Sequence, residues 1–237
     1  MKFGKVYEPR VNEYDKNGKL GLHSLIGLIE DIGAKHSDSV GDNIFESGLK
    51  GISWVLVEWN IKVNRLPDYT KELYLETWPI CKKAELITKR EFEIKDKDGN
   101  VYIAACEKLV LQDFNKQQLI KVTPEMLEKY VPEQELKNEF DFSKLREPES
   151  YDFEKQLNIR KTDIDFNNHV HNSYYLDYAL DILDDLENVS EIRILYKQPL
   201  KLGEKAIIKR KSEDGKHIVA IYKEDTLCTL VKIKTSL

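Results

Sequence analysis

Between Thr162 and Tyr175 the chain reads Thr-Asp-Ile-Asp-Phe-Asn-Asn-His-Val-His-Asn-Ser-Tyr-Tyr, crowding carboxylate, amide and imidazole groups into one short stretch. Such a set can orient and deprotonate a water molecule, with Asp165 and His169 as the acid–base groups and Asn167 as a donor to water or to a carbonyl oxygen. The stretch runs into apolar residues at Tyr175, Tyr178, Ala179, Ile182, Leu183 and Leu186. That spacing predicts a helix from about Ser173 to Leu186 with one buried face and with Asn172 as N-cap. Asp165, Asn167 and His169 then lie just before a helix N-terminus, where free backbone N–H groups favour negative charge and can receive an oxyanion.

Other chemistry competes for the same residues. Asp163, Asp165 and Asn167 have the spacing of the first three ligands of a calcium loop. Asn168 stands where that loop needs glycine, however, and Tyr174 where it needs a bidentate glutamate. His169 and His171 could ligate a metal from one face of an extended segment, yet no cysteine or further histidine is near them in sequence. Asp165 and Asn167 taken singly fit turn-making. Turn-making does not require that they converge with His169 at a helix start. Asp163 reads as a turn or strand-end residue, and Tyr174 and Tyr175 as helix packing.

The elements that must position this stretch follow from the rest of the chain. Its 237 residues, 41% hydrophobic and 33% charged, allow a sizeable core near the size where one core becomes two. A net charge of −5 argues against general nucleic-acid binding. No apolar run has the length of a membrane span and no signal-peptide core follows Met1, so the expectation is a soluble, cytoplasmic protein. Cys81, Cys106 and Cys228 are far apart and odd in number, and read as reduced, buried apolar residues.

A strand is predicted around Phe3 to Val11, then a helix from Leu20 to about Ser37, apolar over most of its surface and therefore wrapped by other structure. Gly21, Gly27 and Gly33 within it suggest close packing rather than helix stability. Strand-like runs follow at Trp54–Asn64, Leu73–Trp78, Ala84–Ile94 and Val101–Phe114, the last two joined by a hairpin through Asp98-Gly99-Asn100. The second half repeats the order: a strand at Leu157–Lys161, the helix after the motif, then runs at Glu191–Tyr196, Lys205–Lys211, His217–Lys223 and Leu227–Lys234, with an Asp214-Gly215 hairpin. This implies a duplication. The expected division is a first domain at 1–130, an acidic, proline-bearing linker at 131–152 and a second domain at 153–237; a short helix near Pro124–Tyr130 closes the first.

Asp163-Ile164-Asp165-Phe166-Asn167-Asn168-His169-Val170-His171-Asn172 resembles the motif of the acyl-acyl carrier protein thioesterases. Ala34-Lys35-His36-Ser37, Trp54-Val55-Leu56, Glu76-Thr77-Trp78-Pro79, Lys89-Arg90-Glu91-Phe92-Glu93-Ile94 and Leu109-Val110-Leu111-Gln112-Asp113 extend the resemblance over nearly the whole chain, in order. It implies an α+β double hotdog: two tandem repeats, each a long central helix wrapped by a curved antiparallel sheet. It implies hydrolysis of fatty acyl-acyl carrier protein, with Asp165, Asn167 and His169 at the catalytic positions and the acyl chain held by the first half. No metal or cofactor is called for.

Where the family commonly has a glutamate, followed in plant members by a cysteine, this chain has Pro199 and Leu200. That excludes a cysteine acyl-enzyme there and leaves Gln198 as a candidate to position water. Direct attack by water is favoured over attack by Asp165 to form an anhydride. The expected partner is an acidic acyl carrier protein bearing its phosphopantetheine-linked chain. Lys197, Lys201, Lys205, Lys209, Arg210 and Lys211 are candidates to dock it, with Lys82 and Lys83 in the first half; of these Lys201 and Lys205, with Gln198, are taken as the substrate-binding set. Nucleic acid and membrane are not expected partners, and monomer and homodimer both stay open. An acyl-coenzyme A thioesterase, a hotdog dehydratase and a non-catalytic acyl-binding protein are the rival readings.

Overall fold

The computed structural model describes residues 2–69, 72–184 and 186–236, with residues 44 and 45 described for their backbone alone. The chain divides into two compact units, Met1–Phe140 and Asp141–Leu237. The division falls inside the segment 131–152 expected to be a linker.

In the first unit the strands are β1 (Phe3–Tyr7), β2 (Ile52–Val63), β3 (Leu73–Ile80), β4 (Thr88–Lys95), β5 (Val101–Asp113) and β6 (Gln118–Ile120), and the helices α1 (Leu22–Ser39) and α2 (Ile44–Leu49). The sheet runs β1-β3-β4-β5-β2, all neighbours antiparallel, with the short β6 on β5. Leu25, Ile26, Ile29 and Ile32 of α1 are each at most 2% exposed. Each contributes about 1.5–3 kcal/mol by leaving water, so burial rather than propensity holds a helix that contains two glycines. Gly33 permits close approach to the sheet: a Cβ there would stand 3.3 Å from the Phe92 ring of β4. The β4–β5 hairpin is built by Asp96, whose carboxylate accepts the N–H groups of Asp98 and Asn100 at 2.9 Å, with Gly99 left-handed at φ 85°.

The second unit holds β7 (Phe153–Leu157), β8 (Val189–Tyr196), β9 (Ala206–Glu213), β10 (Lys216–Lys223), β11 (Thr226–Thr235) and α3 (Asn172–Leu180). Its sheet runs β7-β9-β10-β11-β8, again antiparallel, and matches the first strand for strand in order. Asp214 and Gly215 both take positive φ, 46° and 69°, the backbone of a tight two-residue hairpin. The duplicated architecture is a double hotdog.

Several elements differ from the sequence expectation. The first strand stops at Tyr7 because Pro9 cannot donate to a ladder and Arg10 begins a 3₁₀ turn over Val11–Glu13. The strand expected at Leu157–Lys161 lies earlier, at Phe153–Leu157, and Lys161–Asp163 form a 3₁₀ turn like that at Val11–Glu13. The helix after the motif ends at Leu180, not Leu186. Asp177, Asp181 and Asp184 gather negative charge at the carbonyl end of the helix, which opposes its continuation. The last bonds tighten to Ile182 N–H on Ala179 O (3.4 Å) and Leu183 N–H on Leu180 O (3.1 Å), and Arg210 Nη1 donates to the Ile182 carbonyl at 2.6 Å. Both ends of the connecting segment are anchored. Glu91, fully buried, accepts the N–H groups of Lys137 (2.7 Å) and Asn138 (3.0 Å) in the first unit, and Arg193, 1% exposed, holds Asp141 (3.2 Å) and the Ser143 carbonyl (2.7 Å) in the second.

Candidate active site

The motif begins on a bolt. Asp163 is fully buried, and its carboxylate accepts Arg160 Nη2 at 2.8 Å, the Arg160 N–H at 2.9 Å and the Tyr178 hydroxyl at 2.6 Å. Tyr178 lies on α3, so this carboxylate, read from sequence as a turn residue, also fastens the turn to the helix that follows. Burial and the Asp163 charge push the Tyr178 phenol well above its ordinary value and keep it a donor.

Asp165 builds the turn itself. Its Oδ1 accepts the N–H of Asn167 at 2.8 Å and of His169 at 3.2 Å, while Asp165 N–H donates to His169 O at 2.8 Å. Asn168 takes the left-handed region at φ 60°, where asparagine is tolerated, and an antiparallel bridge between Ile164 and Val170 closes the loop. Among the described residues Oδ2 of Asp165 takes no hydrogen bond. One oxygen therefore makes the turn and the other is open to a water molecule. Asp165 and His169 are half-buried and Asn167 is exposed, all within one five-residue turn.

Helix α3 starts at once. Its N-cap is His171 rather than Asn172: the imidazole Nδ1 accepts the Ser173 N–H at 3.3 Å and lies 3.0 Å from the Ser173 hydroxyl. Sequence reasoning passed over His171 because histidine is not among the favoured capping residues.

A second segment lies against the turn. After β8, Lys197 and Gln198 donate their N–H groups to Cys228 O at 2.8 and 3.1 Å, Leu200 O accepts the Val170 N–H at 2.8 Å, and Leu200 N–H donates to the Tyr175 hydroxyl at 2.8 Å. Tyr175, expected as packing alone, thus ties this segment to α3. Leu200 is fully buried, while Gln198 and Pro199 are exposed. Lys201 and Lys205 are exposed too. The expected basic run is not uniform: Lys209 pairs with Glu154 at 2.8 Å across the β7–β9 ladder, and Arg210 with Asp152, just before β7, at 3.5 Å. In the first unit Lys82 pairs with Glu135 at 3.1 Å. The three cysteines are buried and unpaired, and burial raises each thiol above its ordinary value.

The first unit contains the same turn. Asp15 Oδ1 accepts the N–H groups of Asn17 (2.8 Å) and Lys19 (2.9 Å), Gly18 is left-handed at φ 71°, Tyr14 bridges Leu20, and Leu20 N–H donates to Pro67 O at 2.8 Å. Glu13 takes the part of Asp163, accepting the Arg10 N–H at 2.6 Å and the Tyr7 hydroxyl at 2.7 Å. The spaced pair Asp-x-Asn at Asp15 and Asn17 was the available signal in sequence. Lys19 occupies the place of His169. Further into this unit, His36 on α1 is stacked on Phe3 at 5.0 Å and accepts from Arg90 Nη1 at 3.1 Å. Burial first, and the Arg90 charge second, lower its pKa to about 4.

Two clefts, of about 420 Å³ beside the β9–β10 hairpin and about 280 Å³ around Lys82, Lys83 and Lys89, are lined by none of Asp165, Asn167 or His169. Among the described residues no helix is long and apolar enough to cross a membrane.

Residues 1–130 match the acyl-ACP thioesterase N-terminal domain and residues 146–235 the acyl-ACP thioesterase C-terminal domain. The chain belongs to the acyl-ACP thioesterase family. Its C-terminal-domain match contains the motif turn, and its N-terminal-domain match contains α1 and the sister turn. Among curated proteins it is similar to oleoyl-acyl carrier protein thioesterase 1, chloroplastic, of Arabidopsis thaliana, 23% identical over 215 residues, which cover 82% of this chain and 59% of that protein. The chain spans 53 to 60% of the length of the plant relatives it matches. Among solved structures, an acyl-ACP thioesterase from Bacteroides thetaiotaomicron superposes with a TM-score of 0.86 at 18% identity, covering 98% of this chain and 97% of that one. A putative oleoyl thioesterase from Lactobacillus plantarum gives 0.83 at 21% identity, with 100% and 98% covered. At these identities the likeness establishes the fold of an acyl-ACP thioesterase.

Proposed function

We propose that the protein hydrolyses fatty acyl-acyl carrier protein to the free fatty acid and the carrier protein, with the chemistry at Asp165, Asn167 and His169. The observation that carries this reading is the open Asp165 Oδ2 within the same turn as His169, inside the acyl-ACP thioesterase C-terminal-domain match. Asp165 and His169 orient a water molecule and take its proton. The water oxygen bonds to the acyl carbon, the carbon–sulfur bond breaks, and the pantetheine sulfur leaves as a thiolate that is reprotonated. Asn167 holds the water or the thioester carbonyl, and the Asn172 N–H at the start of α3 receives the oxyanion, the Ser173 N–H being taken by His171 Nδ1.

In this reading residues 1–130 hold the acyl chain, 131–152 connect, and 153–237 carry catalysis. Lys201 and Lys205, exposed on the segment beside the turn, draw the acidic carrier, with Gln198 beside them to position water. Three buried, unpaired thiols fit a reducing, cytoplasmic setting.

The test is to incubate the protein with an acyl-carrier thioester and, separately, with the coenzyme A thioester of the same chain, following free thiol and free fatty acid. Thiol release from both, faster from the carrier and with an advantage that shrinks as salt is added, is the expected result. Binding without thiol release would make the protein an acyl-binding module, and an unsaturated thioester product would make it a dehydratase.

A further inference from the structure

The helix that follows each sister turn starts in the same backbone conformation. Gly21 before α1 has φ −63° and ψ 144°, and His171 before α3 has φ −62° and ψ 143°. Gly21 N–H donates to Glu13 O and His171 N–H to Asp163 O, both at 2.9 Å, so the two residues are counterparts. They differ in what the side chain adds. Helix α1 begins without a side-chain cap, whereas His171 sets an imidazole over the first turn of α3.

Nδ1 of that imidazole meets two groups of Ser173, the N–H at 3.3 Å and the hydroxyl at 3.0 Å. It accepts the N–H, so the ring is neutral and carries its proton on Nε2. A proton on Nδ1 abolishes the cap, strands the N–H of a residue only 4% exposed and sets a cation at the positive end of the helix. The titratable groups around the ring are named by the packing. The Tyr174 ring stands edge-on at 6.5 Å with the Arg160 guanidinium over its far side at 5.8 Å, and the Asp163 carboxylate is engaged by Arg160 and Tyr178. From β8, Tyr196 donates to Asn172 O at 3.0 Å, and Asp165 and His169 complete the set within the turn.

The geometry points to His171 as a positioning residue for hydrolysis, an assignment that rests on the hydrolytic reading above. Its neutral imidazole occupies the Ser173 N–H and fixes the junction between the turn that carries Asp165 and His169 and the helix that begins at Asn172. The Asn172 N–H is thereby held in one place for the oxyanion. The first unit builds the same turn and the same helix start with glycine, so the backbone of the junction does not require the cap.

The experiment compares the wild type with His171→Asn, whose amide oxygen caps a helix without titrating, and with His171→Gly, the residue of the sister turn. The glycine variant should lose roughly tenfold or more in kcat with little change in KM. The asparagine variant should keep kcat near the wild-type value at neutral pH, and the acid limb of its log kcat profile should be less steep by one proton. A glycine variant that melts earlier but turns over normally would make His171 a stability cap alone and overturn the assignment, as would an acid limb equally steep in the asparagine variant. Binding is read separately with an alkyl trifluoromethyl ketone, whose hydrate is tetrahedral at the reacting carbon, and with the methyl ketone of equal chain length. The wild-type preference for the fluorinated ketone should survive in the asparagine variant and shrink roughly tenfold in the glycine variant; a preference unchanged by glycine, or absent from the wild type, also overturns the assignment. Because that binding needs no turnover, failure of the wild type to release thiol counts against the hydrolytic reading and not against this one.

Discussion

The Oδ1 atom of Asp165 accepts the backbone N–H of His169 at 3.2 Å, the bond that Asp15 makes to Lys19 at 2.9 Å in the unit without the histidine. The bond is common to both halves, so it is scaffolding, and catalysis falls to the second oxygen and to the imidazole. Asp165→Asn keeps an acceptor oxygen for the turn but removes the base. Turnover should drop roughly a hundredfold or more with little change in melting temperature. Asp165→Ala removes the turn acceptor as well and should cost about 1 kcal/mol in stability besides. His169→Ala should be as damaging to turnover as Asp165→Asn, and Asn167→Ala less so. A folded Asp165→Asn protein with near-normal turnover would eliminate the proposed role.

Tyr175 offers a second test, because its hydroxyl is the partner of a backbone N–H on a fully buried residue, Leu200. Tyr175→Phe keeps the ring and strands that N–H. Denaturant unfolding should show a loss of about 1–3 kcal/mol, the cost of a buried unpaired donor. An unchanged midpoint would mean that the segment after β8 reaches another acceptor.

The thiols should be bystanders. Burial raises the Cys81, Cys106 and Cys228 thiols, leaving little thiolate to react. A variant with Cys81→Ala, Cys106→Ala and Cys228→Ala should hydrolyse thioesters at a rate close to wild type, and iodoacetamide should leave the folded wild type active. Loss of activity in a well-folded triple variant would point to a sulfur nucleophile.

His36 should make the fold sensitive to acid. Its folded pKa, about 4, lies below the ordinary 6.5, so the folded state binds fewer protons than the unfolded chain. Its contribution is fully present above pH 6.5 and is lost as pH falls from there towards about 4, up to on the order of 3 kcal/mol. His36→Gln should flatten that limb of the stability profile measured by denaturant unfolding. Parallel profiles for the two proteins would show that other groups set the acid limb.

Local chemistry was legible along the chain. Asp96 and Gly99 make their hairpin from bonds within five residues, α1 announces its buried faces by the spacing of Leu25, Ile26, Ile29 and Ile32, and Asp165 folds back on Asn167 and His169 by bonds to its own turn. These are short-range preferences, and residue type with spacing carries them. What the turn faces was decided only by the tertiary structure. The Val170 bond to Leu200 and the Tyr175 bond to the same residue join segments distant in sequence, and no local propensity encodes them. The sister turn at Asp15 is as local as the motif's and was missed for a different reason. Its likeness to the motif lies in which backbone groups the aspartate collects, while Lys16, Gly18 and Lys19 differ from Phe166, Asn168 and His169 in everything a linear reading compares.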